Sequence, residues 1–363
     1  MERKQSKMES LGGIMLDFYR DKKIFITGHT GFKGSWLCKI LITSGAKVTG
    51  FSQLPNTNPS LFNILNIEDS VNSIIGDVRD LERLKEAVNN CTPDIVFHLA
   101  AQPLVRESYK NPVETYETNV MGTVNLFEAI KNCESIRSVV NVTTDKVYEN
   151  NEWDWGYREI DNLNGFDPYS NSKSCSELVT SAYKNSFFKD NPNIAISTVR
   201  AGNVIGGGDF SKDRIIPDCV RAAIRKEDII VRNPNSIRPY QHVFEALLGY
   251  LLIAEKQFGD KSFEGSYNIG PNEEGCVTTS ELAEMFCNLW GSVRWINKSD
   301  ANSSHEANFL KLDCSKIKNK IGWKSKLNVK EAIDLTIKWT QGYYSNSDMN
   351  KLTEKQIIKY FNS

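Results

Sequence analysis

Over its first two hundred residues the chain alternates between two apolar periods. Short apolar runs at Lys23–Thr27, Ala46–Phe51, Ser73–Ile75, Asp94–Leu99, Ser138–Val142 and Ile194–Val199 read as buried strands. Between them apolar positions recur at helical spacing. Trp36, Leu37, Ile40 and Leu41 form one such stretch, closed by Gly45, and others cover about 81–89, 118–132 and 170–188. Strands alternating with helices in this way predict right-handed βαβ units and a parallel sheet covered on both faces. The expected class is α/β, a doubly wound parallel sheet with a smaller mixed α/β lobe towards the C-terminus.

The rhythm breaks past residue 201. Gly206-Gly207-Gly208 reads as a loop, Arg214–Lys226 as a short amphipathic helix, and Gln241–Lys256 as a more apolar helix that packs back on the sheet. Short strands at Ser266–Ile269 and Val293–Ile296 then mix with helices around 280–289 and 329–340. The expected division is a loose tail at 1–15, a sheet domain at 16–200 joined by 240–257, and a second lobe from 201–239 and 258–363. The basic run Lys316, Lys318, Lys320, Lys324, Lys326 and Lys330 reads as a solvated face.

Composition narrows the function classes. With 40% hydrophobic and 25% charged residues among 363, the chain has the makeup of a packed protein, not a disordered one. Forty-four basic against forty-five acidic residues leave no global positive field for nucleic acid or an anionic membrane, so neither is expected as a partner. No apolar run approaches the length of a membrane span, and Leu11–Leu16 is too short for a signal sequence, so a cytoplasmic location is expected. Eight scattered cysteines include no Cys-x-x-Cys pair, and His29, His98, His242 and His305 are dispersed, so no metal site is expected.

Chemistry enters at the first turn. Thr27-Gly28-His29-Thr30-Gly31-Phe32-Lys33-Gly34 follows the first strand and opens the first helix. Gly28 permits a tight turn, Gly31 lets backbone approach a pyrophosphate, and Gly34 lets helix and strand pack closely, which together predict a Rossmann dinucleotide site. The second strand ends in Gly50-Phe51-Ser52-Gln53, with neither the acid expected for NAD nor an arginine for a 2′-phosphate. The lack of arginine favours NAD. Asp77, after the third strand, either takes the adenine edge or caps the helix that follows.

A second constellation is Tyr169-Ser170-Asn171-Ser172-Lys173. Tyr-x-x-x-Lys puts both side chains on one helical face, where the ammonium favours phenolate and lets Tyr169 take a hydroxyl proton. Twenty-five residues earlier Thr144 ends a strand and is placed to donate to the same hydroxyl.

Strand-end Thr, Tyr-x-x-x-Lys and the glycine-rich turn together resemble the extended, nucleotide-sugar-modifying branch of the short-chain dehydrogenase/reductase superfamily. Thr144-Asp145-Lys146, followed by Val147-Tyr148-Glu149-Asn150, is similar to the family of CDP-glucose 4,6-dehydratases, where the dTDP-glucose enzymes carry Thr-Asp-Glu. So are Gly28–Trp36, Asn58–Phe62, His98–Val105, Arg200–Asp209 and Arg238–Val243, a likeness spanning about residues 16–340. The resemblance implies bound NAD, held by Gly28, Thr30, Gly31, Phe32, Gly34, Asp77, Val78, Leu99, Ala100, Ala101, Tyr169 and Lys173. It implies oxidation at C4 of the glucosyl ring with Tyr169 as base, Lys173 lowering its pKa and Thr144 bonding the 4-oxygen. Asp145 then protonates the leaving 6-hydroxyl. Lys146 takes the C5 proton, which requires burial or nearby positive charge to make it neutral. Asn203, Arg232, Arg238 and His242 are the expected contacts to the nucleotide sugar. His242 either packs within the lobe or reaches the ligand. The implied setting is deoxysugar synthesis for surface polysaccharide, by a homodimer or higher homo-oligomer pairing the helices near 118–132 and 170–188. Alternatives are a nucleotide-sugar 4-epimerase, a dehydratase of another NDP-glucose, and a non-catalytic NAD(H)-binding scaffold, which would have no need of both Tyr169 and Lys173.

Overall fold

The apolar runs form the strands expected of them: β1 (Lys23–Thr27), β2 (Lys47–Ser52), β3 (Asn72–Ile75), β4 (Ile95–His98), β5 (Ser138–Val142) and β6 (Ala195–Ala201). The computed structural model describes residues 14–272, 275–298 and 310–362. The six strands pair in parallel in the order β6-β5-β4-β1-β2-β3. Every residue of β4, β5 and β6 is buried, as central strands with helices on both faces must be. Side chains alternate strictly. Ile24 and Ile26 join the core that holds Trp36 and Leu247, while Phe25 between them joins the core of Val88, Leu126 and Phe127.

The chain runs outward from β1 to β3 and then returns to place β4 against the other side of β1. Thr27 pairs with both Phe51 and His98, so β1, β2 and β4 finish level. The crevice outside those strand ends, where the order reverses, is the place an open α/β sheet offers a ligand.

One strand belongs elsewhere than the sequence suggested. Ser266–Ile269, expected in the smaller lobe, is a seventh strand of the main sheet, parallel to β6. Its helical neighbours follow it: Ile317 and Ile321 of Ser315–Ile321 and Ile357 and Phe361 of Met349–Phe361 lie in the sheet's own core. The boundary expected at residue 258 therefore does not hold. A four-residue apolar run looks the same whichever sheet accepts it, and only distant pairing decides. Within the basic run, Lys316 lies half-buried with its ammonium 5.0 Å from the Tyr267 ring centre, and Lys318, Lys320 and Lys324 stay exposed.

Val243–Gly259 packs against the sheet as expected, with Trp323 Nε1 donating to the Glu245 carbonyl behind it. Met349–Phe361 covers the outer side of Phe32–Thr43, where Lys39 Nζ lies 2.6 Å from Glu354 Oε1. The smaller lobe has its own core of Ile216, Cys219, Leu282, Phe286 and Ile333. Two short ladders edge it, Ile229–Val231 with Trp295–Asn297 and Ile237–Pro239 with Cys276–Thr278. The helix expected at 118–132 is Gly122–Ile130, preceded by a π-helical turn at Glu117–Met121 and by two helices the pattern did not show, Val105–Lys110 and Pro112–Tyr116. Most of the tail expected at 1–15, and His305, lie outside the described residues; the described chain opens with a helical turn at Ile14–Asp17. No helix among the described residues is long and apolar enough to cross a membrane.

Candidate active site

Two of the three motif glycines are explained by close approach. Gly28 has φ +76°, and a Cβ there would stand 2.7 Å from the Ala100 backbone nitrogen, so the turn lies directly against the loop Leu99-Ala100-Ala101 that follows β4. A Cβ on Gly34 would stand 2.1 Å from the Gly28 carbonyl oxygen, so the helix starts pressed onto the turn. Gly31 is different: its nearest neighbour would be the same oxygen at 3.4 Å, which leaves its surface open. Gly31 is the N-cap of Phe32–Thr43 with no side-chain cap, and an N-terminus left in this state favours an anion. The cradle fits a dinucleotide pyrophosphate.

Beside the turn, the ends of the second and third strands are tied together by hydrogen bonds. Thr30 Oγ1 donates to the Gln53 carbonyl at 2.8 Å and meets Ser52 Oγ at 3.0 Å. Gln53 Nε2 donates to Asp77 Oδ2 at 2.7 Å, and Arg79 clamps the same carboxylate at 2.6 Å. Partial burial opposes ionisation of Asp77, yet the hydrogen bonds and charge of Arg79, with Gln53, hold its carboxyl below the usual range. Asp77 does not cap the following helix; Asp80 does, accepting from the Arg83 backbone N–H. Val78 is buried beside it against Gly122.

The candidate catalytic groups converge where β5 ends. Thr144 caps the 3₁₀ turn Asp145–Val147, and its hydroxyl donates to Asp145 Oδ1 at 3.0 Å. Asp145 is 2% exposed, and its Oδ2 has no hydrogen-bond partner among the described residues. Burial raises its pKa, against the opposing pull of Lys146, Thr144, Arg238 and Lys33. Tyr169 opens the helix Pro168–Phe187, whose N-cap Asp167 accepts from the Ser170 backbone N–H. Its phenol is pushed up to about 12 by burial and drawn back by a hydrogen bond with Thr144.

Lys173 lies one turn on, on the same buried face, donating to the Val142 carbonyl at 3.0 Å. Burial pushes its ammonium down to about 7, Lys33 adding to the effect and Glu177 opposing it. The sequence assigned the lowering of the tyrosine pKa to Lys173. In the structure Thr144 and the charge of Arg214 draw the phenol back, while Lys173 gives one of its three N–H donors to the strand carbonyl.

These groups open on a cleft of about 480 Å³ between sheet and lobe, lined by Thr144, Asp145, Lys146, Tyr169, Asn203, Arg232 and Arg238. Asn203 Nδ2 is buried with no hydrogen-bond partner among the described residues. Arg238 is almost buried, with Nη1 on the Ile237 carbonyl. His242 is not in the cleft. It is fully buried, accepts the Phe244 backbone N–H on Nδ1 at 3.3 Å as the cap of Val243–Gly259, and is pushed down to about 3 by burial. Of its two readings the packed one holds, since the residue before a helix turns its side chain towards the helix's own N–H groups.

Lys33 was missed. It lines the cleft, pushed down to about 8 by burial and then by Arg214, with Asp145 opposing. Its signal was its place inside the glycine motif, as the cation nearest the anion-binding turn. Arg106, Asp213 and Arg214 also line the cleft, and no local pattern marked them.

Comparison with known proteins agrees with this architecture. The sequence profile of the GDP-mannose 4,6 dehydratase family matches residues 25–336. The CDP-glucose 4,6-dehydratase of Salmonella typhimurium strain LT2 is 46% identical over 354 residues, covering 96% of this chain and 98% of its own. The CDP-paratose 2-epimerase of Salmonella typhi is 26% identical, covering 88% of this chain and 99% of its own. Among solved structures, UDP-glucose 4-epimerase of Thermotoga maritima with UDP-glucose superposes with a TM-score of 0.77 at 21% identity, over 88% of this chain and 99% of its own. MoeE5 in complex with UDP-glucose and NAD superposes with a TM-score of 0.74 at 24% identity, over 89% and 99%. These structural likenesses establish the fold.

Proposed function

The chain belongs to the GDP-mannose 4,6 dehydratase family, and on that premise we propose that it converts CDP-D-glucose to CDP-4-dehydro-6-deoxy-D-glucose and water. The observation that carries the reading is Asp145: a buried carboxyl, held above its ordinary pKa, with one oxygen unpartnered among the described residues, in the cleft that holds Tyr169. A carboxyl whose pKa is raised takes up a proton more readily, and in that position it can pass one to a departing hydroxyl. Simple oxidation or epimerisation at C4 has no use for it.

The residues divide the work. Thr144 and Tyr169 together hold the 4-oxygen, and Tyr169 takes its proton as the ketone forms. Bound NAD would supply storage for the C4 hydride until its return to C6, so its redox state is unchanged over the cycle; Gly28, Thr30, Gly31, Phe32 and Gly34 would hold its pyrophosphate end and Asp77 and Val78 its adenine end. The 4-ketone acidifies the C5 proton, which Lys146 removes, while Asp145 protonates the 6-oxygen and water leaves. Asn203, Arg232 and Arg238 hold the nucleotide diphosphate, forked guanidinium donors being matched to phosphate oxygens. Exposed Tyr109, Val113, Met121, Leu178 and Phe187 on the helices between 105 and 187 support a homodimer formed through that face.

Incubation with the CDP-, UDP-, dTDP- and GDP-glucoses followed by mass spectrometry tests the assignment. Loss of water from CDP-glucose alone, or far ahead of the others, is expected. Asp145→Asn and Lys146→Met should slow elimination far more than oxidation, so near-ultraviolet absorbance rises on adding substrate and solvent deuterium fails to enter C5. Full dehydratase activity in both variants refutes the roles given to Asp145 and Lys146, and a 4-epimerised sugar formed with no loss of water returns the protein to the 4-epimerase reading.

A further inference from the structure

One carboxylate spans the mouth of the cleft. Asp213 Oδ1 accepts from Arg106 Nη1 and from Arg232 Nη2, each at 3.2 Å. Arg106 comes from the helix Val105–Lys110 beyond β4, and Arg232 follows the lobe strand Ile229–Val231, so one oxygen ties the two halves across the opening. The neighbouring charges do not compete for that oxygen. Arg214 is engaged by Asp209 at 3.1 Å, and Asp218, 3.8 Å from Arg232, is engaged by Arg221. Asp213 has φ +59°, a backbone state that few residues other than Gly, Asn and Asp adopt readily. The three side chains are 40%, 48% and 42% exposed, so each contact is screened and separable.

We propose that Asp213 is a built-in stand-in for the diphosphate: its carboxylate fills an anion site made by Arg106 and Arg232, and the nucleotide sugar's diphosphate displaces it on binding. This rests on the nucleotide-sugar reading above and adds two residues to it, Arg106 as a phosphate ligand and Asp213 as a positioning residue that competes with substrate. A diphosphate offers both arginines forked acceptors and more charge than one carboxylate oxygen, so it wins the exchange. A displaced carboxylate beside it then favours departure of the product. The consequence is a site that holds its arginines in place between turnovers and exchanges nucleotide quickly.

Calorimetry on the holoenzyme with CDP and with inorganic pyrophosphate tests this in Asp213→Asn and Asp213→Gly, both of which tolerate the left-handed backbone. Both ligands should bind about three- to tenfold tighter at low salt, from loss of two competing surface ion pairs, and the gain should vanish in molar salt. KM for CDP-glucose should fall in the same ratio without a rise in kcat, and Arg106→Gln should cancel the gain in the double variant. Unchanged or weaker binding of CDP and pyrophosphate in both variants, at unaltered melting temperature, overturns the proposal. Tighter CDP binding with no dehydration of CDP-glucose would sustain the exchange and sink the assigned reaction instead.

Discussion

Gly31 and Gly34 sit three residues apart in one motif, and the structure gives them opposite tasks. An alanine at 34 puts its Cβ 2.1 Å from the Gly28 carbonyl oxygen and 2.8 Å from the His29 Cα, both backbone atoms of a turn already pinned against Ala100. Ordinary contact needs about 3.4 Å, so turn and helix must part by roughly 1.3 Å, a strain of about 1–3 kcal/mol. Alanine returns about 1 kcal/mol of helix propensity, which does not cover that strain at its upper end. Gly34→Ala should therefore lower the melting temperature by up to about 3 °C and also disturb the cradle. An alanine at 31 meets the same oxygen at 3.4 Å and strains nothing. Its methyl group instead occupies the open surface where a pyrophosphate would lie. Gly31→Ala should keep the wild-type melting curve of the NAD-free protein while weakening NAD binding at least tenfold, read by fluorescence titration and by the NAD(H) released on denaturing the purified protein. A Gly31→Ala variant that binds NAD normally, or that loses stability as Gly34→Ala does, refutes this division and with it the position assigned to the pyrophosphate.

Tyr169→Phe should cut turnover by about 10²–10⁴-fold with CDP affinity unchanged, since one phenolic oxygen is removed from a packed ring; a wild-type rate would mean another group takes the proton. His242 supplies a pH prediction. Folded, it stays neutral down to about 3, while unfolded it protonates near 6.5, so the unfolded chain binds more protons between those values and stability falls as pH drops through that window. His242→Asn, which keeps a capping side chain, should flatten the loss of melting temperature between pH 7 and 5 and leave CDP binding intact. A variant with the wild-type slope would show that His242 is not held neutral.

Periodicity made the sheet legible because a strand buried on both faces has to be apolar throughout, and β5 was read to the residue. Short motifs made the glycine turn and the Tyr169–Lys173 pair legible because their members interact within a few residues. What escaped depends on contacts far apart in sequence. Ser266–Ile269 joins β6 across some seventy residues, and Arg106 meets Arg232 only through Asp213. His242 was ambiguous because a buried cap and a ligand contact make the same demand on the sequence, a polar side chain before a helix. The carbonyl of Val142, which accepts from Lys173, is a group that no side-chain pattern reveals.

The salt bridge from Lys39 to Glu354 joins residues 315 positions apart. At about 5–20 residues per second of synthesis, the helix beneath the glycine turn waits roughly 15–60 s for the segment that covers its outer face. During that interval the turn already carries its motif, but Trp36, Lys39 and their neighbours lack the packing of Met349–Phe361. A nascent or nicked chain lacking 349–361 would therefore carry the complete fingerprint on a helix whose outer face is uncovered. A firmly bound dinucleotide would then mark a chain whose distant segments have met.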